Sequence, residues 1–384
     1  MNRDSFLVFG APAIEEDEIA EVVASMRSGW LGTGPKVARF ETDFAGYKGM
    51  PYTAAVNSCT AALHLSILAA GLGRGDEVIT TALTFCATIN AIIHSGATPV
   101  LADVDAHTMN IDPNDIERRI TPRTRAIVPV HFAGRPCDMD AVMDIAGRHQ
   151  LKVIEDCAHA IETEYKGRKA GTFGDFGCFS FYVTKNIVTG EGGMVIARKG
   201  DDIARIKTLA LHGMSQDAWS RFSDAGYKHY AVTECGFKYN MMDIQAAIGI
   251  HQLKRIEQCW KRREAIWQKY NHAFKALPIT IPESVEPHTR HAYHLYTVLI
   301  DEKKTRISRD AFLSAMTGTK IGIGVHYLSI PEHPYYQKTF GWSPEAYPHA
   351  MKIGRQTVSL PISAKLFDRD VEDVIEAVTQ AIKI

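Results

Sequence analysis

Apolar positions along the chain follow two rhythms. Ile19, Val22, Val23 and Met26 recur at helical spacing and stop at Ser28-Gly29, which predicts a helix with that stretch as its apolar face. From about Gly75, short apolar runs alternate with helical stretches. Strands are expected at Val78-Ile79, Pro99–Val104, Ala126–Val130 and Leu151–Ile154, with helices over Phe85–His94 and from the cap Asp138 through Arg148. Strands separated by helices pair in parallel through right-handed crossovers, giving a sheet covered on both faces. Two more strands, Cys178–Tyr182 and Met194–Ala197, are joined by a glycine-rich loop. A helical pattern then runs from Met241 to Ile256, and a charged helix spans Lys261–Phe274. Beyond Pro278 the order is mixed: a strand over Tyr293–Ile300, a helix over Ser308–Met316 and a strand over Gly322–Tyr327. A closing helix follows, capped by Asp368 and apolar at Val371, Val374, Ile375 and Val378. The expected architecture is a large α/β domain over residues 1–255, with a mostly parallel sheet, and a smaller α+β domain over 256–384.

Charge narrows the function. Among 384 residues, 43 Lys and Arg balance 44 Asp and Glu, so no basic field exists to attract nucleic acid. No run approaches the ~18 apolar residues of a membrane span, and Met1–Ala20 reads as neither signal peptide nor anchor. The cysteines number 7 and never form CxxC, which excludes a zinc ribbon and a dense disulfide framework. Reduced thiols fit the cytoplasm. The composition is that of a cytoplasmic enzyme with no nucleic-acid or membrane partner.

The chemistry concentrates after residue 150. Asp156 follows an apolar strand directly, at the edge where open parallel sheets bind ligands, and could pair with a cationic ring nitrogen. Lys185 ends another strand region just before Gly190-Glu-Gly-Gly193. A lysine shielded there has a lowered pKa and can form a Schiff base. Ser180 offers a hydroxyl to a phosphate. Each feature alone has a plainer reading: a solvated lysine, a helix-capping Asp, a turn. Their conjunction suits pyridoxal 5'-phosphate, whose aldehyde, pyridinium and phosphate match the three side chains. Ser58-Cys59-Thr60 opens a helical pattern and is a second phosphate candidate, or else an ordinary cap. Phe85 could cover a ring face, or be plain core.

Other motifs carry less. Gly71-Leu-Gly-Arg-Gly75 lacks the glycine spacing of a dinucleotide fingerprint, which counts against a nicotinamide oxidoreductase. His288, His291 and His294 recur at three-residue intervals, but that spacing spreads them round a helix or across a strand, so no metal site is expected. His326 and Tyr327 are candidates for lining a substrate pocket, or else serve the structure.

The chain resembles the DegT/DnrJ/EryC1/StrS family of pyridoxal-phosphate-dependent nucleotide-sugar aminotransferases, of the aspartate aminotransferase fold (fold type I). The matching segments span almost its whole length. They include Gly32-Thr-Gly-Pro35, Asn57-Ser-Cys-Thr-Ala-Ala62, Thr84–Ala91, Glu155-Asp-Cys-Ala-His159, Gly174–Phe181, Thr184-Lys-Asn186 with Gly190–Gly193, Gly236–Met241, Val325-His-Tyr327 and Ser359-Leu-Pro361. The resemblance implies Lys185 as the Schiff-base lysine and Asp156 as the partner of the pyridine nitrogen. It places His159 near the ring hydroxyl, Phe85 on the ring, and Ser180 with Ser58, Cys59 and Thr60 at the phosphate. It further implies a homodimer with shared sites, in which Lys238 or Asn240 reaches the neighbouring subunit's phosphate. Many relatives read Gly-x-Asn-x-Arg where this chain has Gly236-Phe-Lys-Tyr-Asn240, and many have Gly where it has Cys59. The implied reaction moves an amino group, with glutamate the expected donor, to a keto group of a nucleotide-linked (4-keto-6-deoxy) sugar. A sugar dehydratase and a cofactor-binding regulatory protein are the alternatives within the family. Lys185, where the dehydratases carry His, favours amino transfer.

Overall fold

Strands buried on both faces carry apolar residues at neighbouring as well as alternate positions, as at Val78-Ile79, Ala126-Ile-Val128 and Val153-Ile154 of this chain. The structure is a computed structural model and describes residues 3–215 and 230–383. Its strands are β1 (Tyr52–Val56), β2 (Glu77–Thr81), β3 (Thr98–Ala102), β4 (Thr124–Val128), β5 (Lys152–Asp156), β6 (Glu164–Tyr165), β7 (Arg168–Lys169), β8 (Phe176–Ser180), β9 (Gly193–Ala197), β10 (Tyr296–Leu299) and β11 (Thr357–Leu360). All residues of β2, β8 and β9 are buried. Seven strands form the main sheet in the order β1-β9-β8-β5-β4-β2-β3. The pairs β2–β3, β2–β4, β4–β5 and β5–β8 are parallel, whereas β9 runs antiparallel to both β8 and β1. The expected α/β class with a mostly parallel sheet is therefore present.

Helices cover both faces. Cys59–Ala69 and Gly200–Ala210 pack Leu63, Leu65, Ile206 and Leu209 against one side of β1, β8 and β9. On the other side Phe40, Phe44, Phe179 and Phe181 interlock at ring separations of 5.0–6.3 Å beside the helix Asp243–Lys254. A separate core surrounds the two-stranded β10–β11 sheet, where Trp267, Tyr270 and Phe312 meet Val371, Val374 and Val378 of the last helix, Asp368–Lys383.

Four local expectations change. The helix Glu16–Ser28 forms where expected, but its buried residues are Glu18 and Ser25, while Ile19 and Met26 are exposed. Glu18 is drawn inward by Gln252 and Arg255, and these partners outweigh the apolar stripe. The helical pattern from Met241 to Ile256 breaks at Arg255, and Ile256 starts the next helix, Ile256–Phe274. Gly322–Tyr327 is not a strand. Single bridges from Ile321 to Leu7 and from Gly324 to Ser359 are the only ladder contacts there among the described residues. Asp368 is the first residue of its helix rather than the cap, and its carboxylate holds Arg262 and Lys269.

Candidate active site

The geometry follows from strand direction. Because β9 is antiparallel to both β1 and β8, those two strands point the same way as β5, and all three end at one edge of the sheet. Ser58 follows β1, Asp156 ends β5 and Ser180 ends β8. Val56 and Ser180 both pair with Gly193, which brings the β1 and β8 ends together across a single glycine. A cavity of about 530 Å³ opens there and is lined by Ser58, Cys59, Thr60, Phe85, Asp156, His159, Ser180, Lys185, His326 and Tyr327 among others. The structure thus unites ten of the twelve residues singled out from sequence.

Lys185 is set on a tight loop after β8. Phe181 donates its N–H to the Gly192 carbonyl, Thr189 donates to the Phe181 carbonyl, and Lys185 donates its own N–H to Tyr182. The next residue, Asn186, is buried and donates to Glu162 and to the Ala292 carbonyl at 2.9–3.0 Å, and it meets His294 at 2.9 Å. These bonds tie the loop to its neighbours, and the lysine side chain lines the cavity. Burial pulls its pKa down to about 8, opposed by the charges of Cys59 and Asp156. Some of the amine is consequently unprotonated and nucleophilic near neutral pH.

Asp156 is buried and accepts two hydrogen bonds, from Ala158 N–H at 3.1 Å and Thr88 Oγ1 at 2.8 Å. Thr84 lies 2.9 Å behind Thr88, so the two hydroxyls form a donor chain toward the acid. Burial raises the carboxyl above its ordinary value despite these bonds and the nearby Lys185. An acid left this short of partners is suited to a cationic group in the cavity. Thr88 is a residue sequence reading passed over. It lies in the matched Thr84–Ala91 segment, one helical turn from Thr84, and that spacing was the available signal.

At the other end, Ser58 caps the helix Cys59–Ala69 by accepting from Ala61 N–H. The plainer reading of this hydroxyl as a cap is therefore present in the structure, and it leaves the N–H groups of Cys59 and Thr60 as the helix's first free donors. A Cβ on Gly193 would come within 2.6 Å of the Ser58 carbonyl, and one on Gly192 within 2.2 Å of Thr189 Oγ1, so these glycines create the space. Buried Ser180 and half-buried Thr60 add hydroxyls. Donors at one end, an under-partnered acid deep in the cavity and an amine between them fit a phosphorylated, cationic aromatic aldehyde.

Phe85 is 56% exposed, so it is not core; its ring stands 5.8 Å from that of Tyr327. His159 accepts from Ala133 N–H at Nδ1 and meets the Tyr327 hydroxyl through Nε2 at 2.9 Å. His326 bonds Ser359, and burial, aided by Lys185, takes its pKa down to about 4. Two residues lie apart from the cavity in this chain. Lys238 is exposed, and Asn240 donates to Thr33 Oγ1 at 2.7 Å. The three spaced histidines also part company: His288 is exposed, His291 accepts from Tyr293 N–H, and His294 faces Asn186. Among the described residues, the ligand-type atoms that do approach within 4.8 Å belong to buried His131, Glu155 and Cys157. There Glu155 already accepts N–H bonds from Gly171, Phe173 and Gly174, as well as from His131.

The chain is similar along almost its whole length to known proteins. The model of the DegT/DnrJ/EryC1/StrS aminotransferase family matches residues 12–379. The chain is 49% identical over 382 residues to the spore coat polysaccharide biosynthesis protein SpsC of Bacillus subtilis, covering 99% of this chain and 98% of that one. Among solved structures it superposes on Streptococcus pneumoniae Spr1654, described as a sugar aminotransferase and solved in PMP and PLP forms. For the PMP form the TM-score is 0.92 at 32% identity, with 98% and 99% of the two chains covered. The Helicobacter pylori aminotransferase PseC, involved in pseudaminic acid biosynthesis, gives 0.91 at 28% identity, covering 99% and 100%.

Proposed function

Since the chain belongs to the DegT/DnrJ/EryC1/StrS aminotransferase family and its cofactor is pyridoxal 5'-phosphate, we propose that it transfers an amino group from L-glutamate to a keto group of a nucleotide-linked sugar. The observation that carries this reading is the convergence of the Lys185 amine and the Asp156 carboxylate in one cavity. We assign the product to polysaccharide biosynthesis, by likeness to SpsC.

When bound, the cofactor supplies an aldehyde that captures amines and a pyridinium ring that withdraws electrons. Asp156 would hold the proton on the cofactor's ring nitrogen, and its buried carboxylate would there gain a cationic partner. Lys185 Nζ would hold the cofactor's aldehyde carbon, giving way to the amine of the donor and displacing the aminated product at the end. Once displaced it acts as a general base on the Cα proton of the amino donor, and as the acid that returns a proton in the reverse half. Ser180, Thr60 and the N–H groups of Cys59 and Thr60 would hold the phosphate, and Phe85 would cover the ring. Lys185 rather than histidine at this position keeps a primary amine available, which a dehydratase would not need.

The protein acts as a homodimer in this reading. Ile19, Met26, Trp30 and Leu31 are exposed and give such a dimer an apolar face. Lys238 reaches the neighbouring phosphate. It is exposed and carries a full charge, whereas Asn240 is half-buried and holds Thr33, which itself donates to the Met241 carbonyl.

The test is incubation of the loaded enzyme with glutamate and a panel of UDP-, dTDP- and GDP-linked keto-sugars, read by mass spectrometry. An amino sugar and 2-oxoglutarate in equal amounts are expected. Formation of a deoxy-keto product without nitrogen, or of no product from any panel member, overturns the proposal.

A further inference from the structure

The residue after Lys185 spends both polar atoms of its side chain on segments distant from it in sequence. Asn186 Nδ2 donates to the Ala292 carbonyl at 2.9 Å and to the two oxygens of Glu162 at 3.0 and 2.9 Å, and Oδ1 accepts from His294 Nδ1 at 2.9 Å. Turning the amide over would set its oxygen against a carbonyl and a carboxylate, so the surroundings admit this orientation alone. His294 then carries its hydrogen on Nδ1, in keeping with a ring that burial holds well below its ordinary pKa. All four residues are buried.

The anchors are themselves anchored. Ala292 N–H donates to the Gly134 carbonyl and His294 N–H to the Ala133 carbonyl, while Trp260 of the helix Ile256–Phe274 donates to the His291 carbonyl at 2.8 Å. Glu162 lies on the segment that leaves β5 after Asp156 and His159. Burial raises its carboxyl above the ordinary value, and the charge of buried Arg263, on that same helix, opposes this most strongly. Arg263 thereby favours the ionised form, in which both oxygens accept. Asn186 is where the lysine loop, the exit of β5 and the entry to β10 are joined.

Lys185 and Asn186 share one peptide, with Cα atoms about 3.8 Å apart, so a shift of the amide passes to the lysine with little loss. Capture of an aldehyde and transfer of a proton at carbon both depend on where Nζ stands, and a misplacement of about 1 Å costs about 10²-fold. We propose that Asn186 is a positioning residue for Lys185: the clamp of its carboxamide between Glu162 and the 292–294 segment sets where the lysine amine stands, and Glu162 acts on the lysine only through this amide. The inference rests on Lys185 as the residue that bonds the cofactor, as proposed above.

Two forms of the cofactor separate positioning from a role in the fold alone. Pyridoxal phosphate is held by the cavity and by a C=N bond to Lys185, formed with loss of one water. Pyridoxamine phosphate carries an amine where the aldehyde was, and the cavity alone holds it. In Asn186→Ala, affinity for pyridoxal phosphate should fall about tenfold, affinity for pyridoxamine phosphate should stay within about twofold, and kcat should fall about 10²-fold with KM for the amino donor little changed. Glu162→Ala should give the same pattern at smaller size, and Glu162→Gln, which still offers an oxygen to the amide, should lose less than Glu162→Ala. Adding Glu162→Ala to Asn186→Ala should change nothing further. The proposal is overturned if both affinities fall together, which marks a merely structural clamp, if neither moves, or if the double variant shows a further full loss. Where Asn186→Ala does not fold, Glu162→Ala is read by the same pair of affinities. A parent protein that binds both forms equally and yields no borohydride-trapped lysine at position 185 would instead sink the Lys185 assignment, so the two failures are distinguishable.

Discussion

Glu155 and Asp156 are neighbours at the end of β5, both carboxylates and both buried, yet they face opposite sides of the strand and have opposite chemistry. Glu155 is sealed. It accepts three backbone N–H bonds of 2.7 Å from the 171–174 turn and one from His131, and these together depress its pKa although burial alone would raise it. Asp156 faces the cavity with two donors, and burial wins. The difference separates a carboxylate that holds the fold from one left incomplete for a ligand: the same residue class in the same depth of burial is structural when saturated and functional when short of partners.

The sharpest way to break this contrast acts on the cavity side. Lys185→Ala should abolish turnover and the visible band while leaving the melting temperature of the cofactor-free protein essentially unchanged; residual turnover near the parent level would remove the lysine from the mechanism. Asp156→Asn should still bind cofactor but lose about 10²–10³-fold in kcat, and an unchanged kcat would return Asp156 to the structural class. Glu155→Gln should do the reverse. It sets an amide N–H₂ against backbone donors and should cost about 3 kcal/mol of stability, measured by denaturant unfolding, with kcat per folded molecule retained.

Acid unfolding separates the pair by sign. Glu155, with a lowered folded-state pKa, contributes stability present above its ordinary 4.5 and lost as pH falls through the depressed value. Asp156, with a raised one, costs the cofactor-free protein stability as pH climbs from 3.8 through the raised value. Cofactor-free Asp156→Asn should therefore be at least as stable as the parent at pH 7, and Glu155→Gln less stable. The smallest effect is expected from Thr88→Val, which removes one donor from Asp156. About 1 kcal/mol, or roughly a fivefold fall in kcat, should result, and the Thr84→Val variant should show less.

Strands β2, β3, β4, β5, β8 and β9 were legible in the chain because burial on both faces favours short apolar runs, whereas Tyr52–Val56 and Thr357–Leu360 were not read as strands. Asp156, Lys185 and Ser180 were legible because each follows such a run at an edge where parallel sheets bind ligands. The opening helix was legible as a helix but not in its orientation. Ile19 and Met26 promised a buried stripe, and only the partners of Glu18, more than 200 residues away, turned the polar side inward. Gly322–Tyr327 looked like a strand from its apolar pattern, but among the described residues only single bridges, Ile321 to Leu7 and Gly324 to Ser359, form there.

What the sequence alone determined is the inventory: an α/β chain, a lysine and an acid at strand ends, and small residues at a helix start, since these depend on local spacing and residue type. What only the tertiary structure decided is the allocation of hydrogen bonds. That Glu155 is saturated and Asp156 is not, that Thr88 supports the acid, and that His159 meets Tyr327 all depend on donors brought in from distant segments. A donor's partner is fixed by position in space, and position in space is a property of the whole packed chain.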